Sequence, residues 1–172
     1  MHFTYCPHCG KKLEERCIGD EGLVPWCDSC RLPLFDIPET CTITLAVNEF
    51  GEAALLRQNY VSTDTFVCVA GHIKTGETAE ETALREVEEE IGIKPEEVAY
   101  LGSYYYPRKD MLMLGYWAKV KKADFCISGE VDAAEWFPLE TALKKVRQGS
   151  IAMQLIVDYM EKERKLKTGK IV

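Results

Sequence analysis

Residues 71–93, GHIKTGETAEETALREVEEEIGI, carry seven glutamates in 23 positions, three of them consecutive at 88–90. Ala83, Leu84, Val87 and Ile91 recur through the same stretch at helical spacing, which predicts an amphipathic helix with one side packed on other structure. Thr78 followed by Glu81 reads as a capping box that starts this helix near Ala79, and Gly92 as its C-terminal stop. At about 100° per residue, Glu86, Glu89 and Glu90 fall within an arc of about 100° on the flank of the apolar stripe, whereas Glu81 and Glu88 point to solvent. Two readings of the three clustered carboxylates compete. One is a solvated charged face; the other is an oxygen-ligand set for a hard divalent cation, Mg²⁺ or Mn²⁺. Carboxylates ~6 Å apart repel by roughly 0.7 kcal/mol per pair in water and several-fold more beside a low-dielectric surface. Arg85 offsets only part of that, and spacing alone leaves both readings open.

The segments around this helix read as strands and helices in alternation. Residues 41–47 and 53–58 are two strands joined by a turn at Asn48–Glu52, and residues 65–70 form a further strand that feeds into Gly71. Strands follow at about 97–106, 111–121 and 132–137, the first two joined by a turn around Pro107–Asp110, and helices at about 139–148 and 151–166. This order predicts an α/β (α+β) fold, an α/β/α sandwich with a mixed sheet in the middle, over residues 38–172. No apolar run approaches the ~20 residues that span a bilayer. The opening MHFTYCPHCGKK lacks the apolar core of a signal peptide. The expectation is a cytoplasmic protein with no membrane partner. A net charge of −7 argues against broad binding to a phosphate backbone, but not against a phosphate-bearing small molecule whose charge is screened by cations.

The cysteines define a second region. Four of the eight form Cys6-x2-Cys9 and Cys27-x2-Cys30, separated by 17 residues. Two such knuckles match a closed tetrahedral four-cysteine zinc ribbon over residues 1–37, with structural Zn²⁺. The alternatives are a redox pair or unrelated thiols. Gly10 suits the positive-φ turn that aims backbone N–H groups at thiolates. His8, inside the first knuckle, reads as a surface residue, and Cys17, Cys41, Cys68 and Cys126 as small core or surface side chains.

The helix and its approach also carry a family pattern. Gly71, five residues, Glu77, seven residues, then Arg85-Glu86-Val87-x-Glu89-Glu90-x-Gly92-Ile93 is similar at every specified position to the box G-x5-E-x7-R-E-U-x-E-E-x-G-U, with U aliphatic, of the Nudix hydrolases. The resemblance implies Mg²⁺- or Mn²⁺-dependent cleavage of a P–O–P bridge in a nucleoside diphosphate linked to another moiety. It implies Glu86, Glu89 and Glu90 as metal ligands or metal-water contacts, with the Ala70 carbonyl brought near the metal by the Gly71 loop. Arg85 would orient the glutamates, and Glu77 would orient Arg85 or a metal water.

A zinc ribbon ahead of such a domain resembles the NAD(H) pyrophosphatase branch, over residues 6–160. That resemblance implies Glu130 as a further metal ligand, Ala152 within Ser150–Ile156 as a substrate contact, and Phe35 as an aromatic substrate contact where the branch has tyrosine. It also implies a homodimer whose interface completes the substrate pocket. The chain departs from the branch signature S-Q-P-W-P-F-P: residues 103–109 read Ser-Tyr-Tyr-Tyr-Pro-Arg-Lys, keeping Ser103 and Pro107. Tyr104, Tyr105 and Tyr106 can stack on a base or nicotinamide ring, and Arg108 and Lys109 can reach a phosphate. The resemblance therefore points to NAD(H), cut to AMP and nicotinamide mononucleotide. The alternatives are ADP-ribose, other dinucleotides, non-standard nucleoside triphosphates, a capped RNA 5′ end, or a non-catalytic nucleotide sensor.

Overall fold

A computed structural model of the chain describes residues 3–59 and 62–168. The chain divides into two compact units, Met1–Glu39 and Thr40–Val172. The N-terminal unit is a three-stranded antiparallel sheet of β1 (Glu14–Cys17), β2 (Leu23–Cys27) and β3 (Leu32–Pro33), with a 3-10 turn at Gly19–Glu21. Its buried cluster is small: Cys6, Cys27 and Leu34, with Phe3, Leu13, Cys30 and Leu32 packed against it. Every residue of β1 is exposed. So little apolar burial cannot offset the entropy of ordering the chain, and a bound metal is the usual remedy at this size.

The C-terminal unit is built on a six-stranded sheet in the order β7-β8-β4-β5-β9, with β6 pairing on β4. Its strands are β4 (Glu39–Val47), β5 (Glu52–Arg57), β6 (Val69–His72), β7 (Glu97–Tyr106), β8 (Met111–Lys119) and β9 (Ala133–Pro138). Its helices are α1 (Ala79–Ile91), α2 (Leu139–Lys145) and α3 (Ile151–Lys167). Strand β4 is buried without interruption from Cys41 to Val47, as a central strand covered on both faces must be. Side-chain alternation separates two cores. Ile43, Leu45, Val47, Ala53 and Leu55 pack with Ala142, Leu155 and Ile156 of α2 and α3. Ala46, Ala54, Leu56 and Val69 pack with Val87 and Ile91 of α1. The expected α/β/α sandwich is present.

Most element boundaries lie within a few residues of the expectation, and β7 coincides with it. The strand expected at 65–70 is displaced. Ladder pairing starts at Val69 and runs through Gly71 to His72, with Thr42 opposite Gly71. Phe66 and Val67 make only isolated bridges, to Val146 and Leu56. The β-branched and aromatic character of 65–68 serves core packing there, not pairing. Gly71 is thus a strand residue, and its lack of a side chain faces α1.

Candidate active site

Helix α1 is fixed at both ends by its own sequence. The Thr78 hydroxyl accepts the Glu81 N–H at 3.2 Å, while the Glu81 carboxylate accepts the Thr78 N–H at 2.8 Å. Such a reciprocal cap contributes about 1 kcal/mol. Gly92 closes the helix in the left-handed region at φ 70°, its N–H donating to Glu88 O. Ala83, Val87 and Ile91 are fully buried, which sets the rotation of the helix and aims the 85–90 edge back at β6.

Arg85 is the hub of this edge. Its Nε and Nη2 donate to the two oxygens of Glu77 at 2.7 and 2.9 Å, a forked pairing. Its Nη1 donates to Glu86 Oε1 at 2.6 Å and Glu89 Oε2 at 2.8 Å, and Nη2 reaches His72 O at 3.3 Å. The guanidinium, with Thr82 Oγ1 and the Lys74 N–H, holds the Glu77 carboxyl down at about pKa 2 against the opposing effect of its partial burial. Arg85 itself is pushed further toward permanent charge by the three acids. Glu86 lies directly over Gly71: a Cβ there would stand 1.9 Å from Glu86 Cδ. Any side chain at position 71 therefore displaces this carboxylate.

Glu90 differs from its neighbours. It is 5% exposed. Gln58 Nε2 donates to its Oε1 at 2.8 Å, and its Oε2 is buried with no hydrogen-bond partner. Burial is the main reason its pKa rises to about 7, and the nearby charges of Glu86 and Glu130 add to the rise. The Gln58 amide opposes it. A buried carboxylate oxygen without a donor costs about 1–3 kcal/mol. Beside further acids it is the arrangement that a hard cation satisfies.

Glu130 is carried to this neighbourhood by the 120–132 loop. The loop is tied to the end of α1 by Cys126 N–H to Ile91 O at 3.0 Å and Ser128 N–H to Glu90 O at 3.3 Å. It is also tied to β9 by stacking of Phe125 on Trp136 and by Trp136 Nε1 donating to Ala123 O. Its pressure on the helix end explains why position 92 takes glycine: a Cβ would meet Cys126 Cβ at 2.5 Å. Among the described residues, no three carboxylates converge within 4.8 Å, and Glu86 and Glu89 are engaged by Arg85.

The four ribbon cysteines do converge. Their Sγ atoms lie within 4.8 Å of one another, with Cys6–Cys30 at 3.9 Å and Cys9–Cys27 at 3.5 Å. A tetrahedron with Zn–S of about 2.3 Å has edges of about 3.8 Å. Both knuckles turn through positive φ, at Gly10 (72°) and Arg31 (56°), and the Cys30 N–H donates to Cys27 Sγ at 3.4 Å. These donors fit a thiolate-bound zinc.

The expected substrate contacts are distributed. Tyr104, Tyr105, Ser150, Ile151, Met153 and Gln154 line an open cleft of about 430 Å³ between the end of β7 and the start of α3. The Tyr104 ring lies against Gly115, where a Cβ would meet its Cε2 at 2.5 Å, and its hydroxyl donates to Asp158 Oδ2 at 2.5 Å. Tyr105 is exposed and donates to Asp110 Oδ1, Tyr106 is half-buried, and Arg108 and Lys109 are exposed. Ala152 is buried in the core cluster beneath α3, and Phe35 is 47% exposed in the N-terminal unit. Sequence reasoning did not single out Gln58 or Asp158. A polar residue ending an apolar strand, and an acid within an apolar helical repeat, are weak signals without contacts.

A family model described as NUDIX domain matches residues 39–154. The NAD-capped RNA hydrolase NudC of Pseudomonas aeruginosa (strain LESB58) is 29% identical over 160 residues, covering 92% of this chain and 56% of that protein. The mitochondrial NAD(P)H pyrophosphatase NUDT13 of Mus musculus is 31% identical over 157 residues, covering 87% of this chain and 43% of that one. The chain thus spans about half the length of the curated relatives it matches. Among solved structures, a NUDIX hydrolase from Nitrosomonas europaea superimposes with a TM-score of 0.71 at 20% identity, covering 94% of this chain and 93% of its own, a likeness of fold. The domain match covers more than half the chain and contains the box, and the chain belongs to the Nudix family.

Proposed function

We propose that the chain is a Mg²⁺- or Mn²⁺-dependent hydrolase that cleaves the diphosphate bridge of a nucleoside diphosphate linked to another moiety, with NAD(H) giving AMP and nicotinamide mononucleotide. The observation that carries this reading is the buried, unpartnered Oε2 of Glu90 beside Glu86, within reach of the charge of Glu130. Glu86, Glu89, Glu90 and Glu130, with the Ala70 carbonyl, are the groups that would hold the cation. Bound there, a divalent cation neutralises phosphate charge and makes a bound water a better nucleophile at neutral pH. Arg85, locked by Glu77, keeps Glu86 and Glu89 at fixed positions, and Gly71 leaves the space in which Glu86 stands. Water adds at one phosphorus as the bridging P–O bond breaks, leaving two monophosphates. Cys6, Cys9, Cys27 and Cys30 would hold a structural zinc.

Substrate rings are assigned to the aromatic residues Tyr104, Tyr105 and Tyr106, with Ala152 as a further contact and Arg108 and Lys109 for an additional phosphate. The homodimer expected from the branch belongs to this proposal. A second reading is an NAD-capped RNA 5′ end, favoured by the name of the Pseudomonas relative and by the exposed Arg108–Lys109 pair. The departure at 104–109 keeps ADP-ribose and nucleoside triphosphates as competitors. Incubation with NADH, ADP-ribose, a nucleoside triphosphate and NAD-capped RNA, each with Mg²⁺ and Mn²⁺, tests these readings by product identification. AMP and the reduced mononucleotide as products support NAD(H). NADH turnover a hundredfold below ADP-ribose or a triphosphate overturns it, and no hydrolysis of any of the four returns the chain to the nucleotide-sensor reading.

A further inference from the structure

The end of β5 meets both halves of the acidic site. Gln58 follows the last residue of β5 and is 6% exposed, and its Nε2 donates to Glu90 Oε1 at 2.8 Å. One residue to either side, the backbone grips the loop that carries Glu130. The Asp132 N–H donates to Arg57 O at 2.9 Å, and the Asn59 N–H donates to Asp132 Oδ2 at 2.6 Å. The strand beneath is held by pairing with β9, Arg57 lying opposite Ala133. Three consecutive residues thus tie the C-terminal turn of α1 and the Glu130 loop to one rigid edge.

The Gln58 contact has a chemical consequence. A buried carboxylate free to turn about its last bond offers either oxygen, or both, to a cation. With Oε1 already accepting from an amide donor, the carboxylate is held in one orientation, and Oε2, the atom with no hydrogen-bond partner, keeps its full acceptor capacity for a cation. Resting on the hydrolase reading above, we propose that Gln58 is a positioning residue that holds the Glu90 carboxylate in one orientation and leaves Oε2 for the cation, and that the Arg57–Asn59 backbone, through Asp132, registers Glu130 against it. A group that orients a ligand in this way typically changes metal affinity by about 10- to 100-fold.

The test is Mn²⁺ binding to the zinc-loaded full chain, read from the loss of the free Mn²⁺ electron paramagnetic resonance signal with no nucleotide present. Gln58→Met keeps the volume and removes the donor. It is expected to raise the Mn²⁺ dissociation constant about tenfold. In a Glu90→Met background, already weakened and with no acceptor for the amide, the same substitution is expected to change that constant less than twofold, because the partner it acts through is gone. Mn²⁺ affinity within twofold of wild type in Gln58→Met, or an equal loss in both backgrounds, overturns the proposal even if the variant melts lower. Should Gln58→Met not fold, Gln58→Asn keeps the amide, withdraws it by one methylene, and is read the same way. The readout is independent of the substrate: a wild-type chain that binds Mn²⁺ and leaves NADH intact refutes the substrate and not the role of Gln58.

Discussion

The two units solve opposite electrostatic problems. In the residue 1–39 unit, four sulfur ligands stand within 4.8 Å of one another, and two of them, with Leu34, are the whole buried cluster. In the residue 40–172 unit, carboxylates stand beside two full apolar cores that do not need them. A metal in the first is therefore part of folding, whereas a metal in the second relieves a strain that the fold already tolerates. The energy of a metal in the first would appear as stability, and that of a metal in the second as binding and turnover.

Zinc removal is expected to have the largest effect. Binding at a four-thiolate site is coupled to about 10–16 kcal/mol of folding free energy, so Cys27→Ala should unfold the 1–39 unit and leave the sheet of the second intact. Amide NMR spectra and zinc content per chain check this. Near-stoichiometric zinc is expected in protein purified without chelator, and a folded ribbon without metal would break the comparison.

Glu90→Gln comes next. Mg²⁺-dependent turnover of NADH should fall at least a thousandfold, about 4 kcal/mol. In EDTA above pH 7 the same variant should melt at or above the wild type, since a buried like charge is removed. Opposite signs on stability for Cys27→Ala and Glu90→Gln are the sharpest expression of the contrast. A large loss of melting temperature in Glu90→Gln would blur it.

Gly71→Ala should lower turnover about a hundredfold, about 2.7 kcal/mol, with little change in melting. The displaced atoms belong to the end of the Glu86 side chain and not to backbone. Tyr106→Ala is a smaller perturbation: loss of ring stacking, about 0.5–1.5 kcal/mol, should raise KM for NADH about three- to tenfold with kcat held. Steady-state kinetics with both variants separate metal from substrate contributions.

A pH dependence of stability, confined to acid conditions, is expected from Glu77. Its folded pKa of about 2 lies below the ordinary value of 4.5. The stabilisation is therefore complete above pH 4.5 and is lost as pH falls from 4.5 through 2. Denaturant melts of Glu77→Gln and wild type should converge across that window, and parallel curves would remove Arg85–Glu77 from the account.

Much of this was legible in order along the chain because the causes are local. The Thr78/Glu81 cap, the Gly92 stop, the apolar stripe of α1 and the C-x2-C spacing all act within a few residues, and each formed as read except that Leu84 of the stripe is only half-buried. The order of strands and helices likewise predicted a sheet covered by helices. What depended on residues far apart was not legible. The sequence showed Glu86, Glu89 and Glu90 as one cluster, yet folding separates their fates. Arg85 takes Glu86 and Glu89, while β5 and the Glu130 loop close over Glu90 and bring Gln58, 32 positions away, to one of its oxygens. Tyr104 read as a stacking surface, and what the sequence did not show is that its hydroxyl bonds Asp158, 54 positions on, with Gly115 opening a slot for its ring. Periodicity and capping report free energies that vary with neighbours in sequence. Burial and the choice of hydrogen-bond partner vary with neighbours in space, and only the packed sheet and helices decide those.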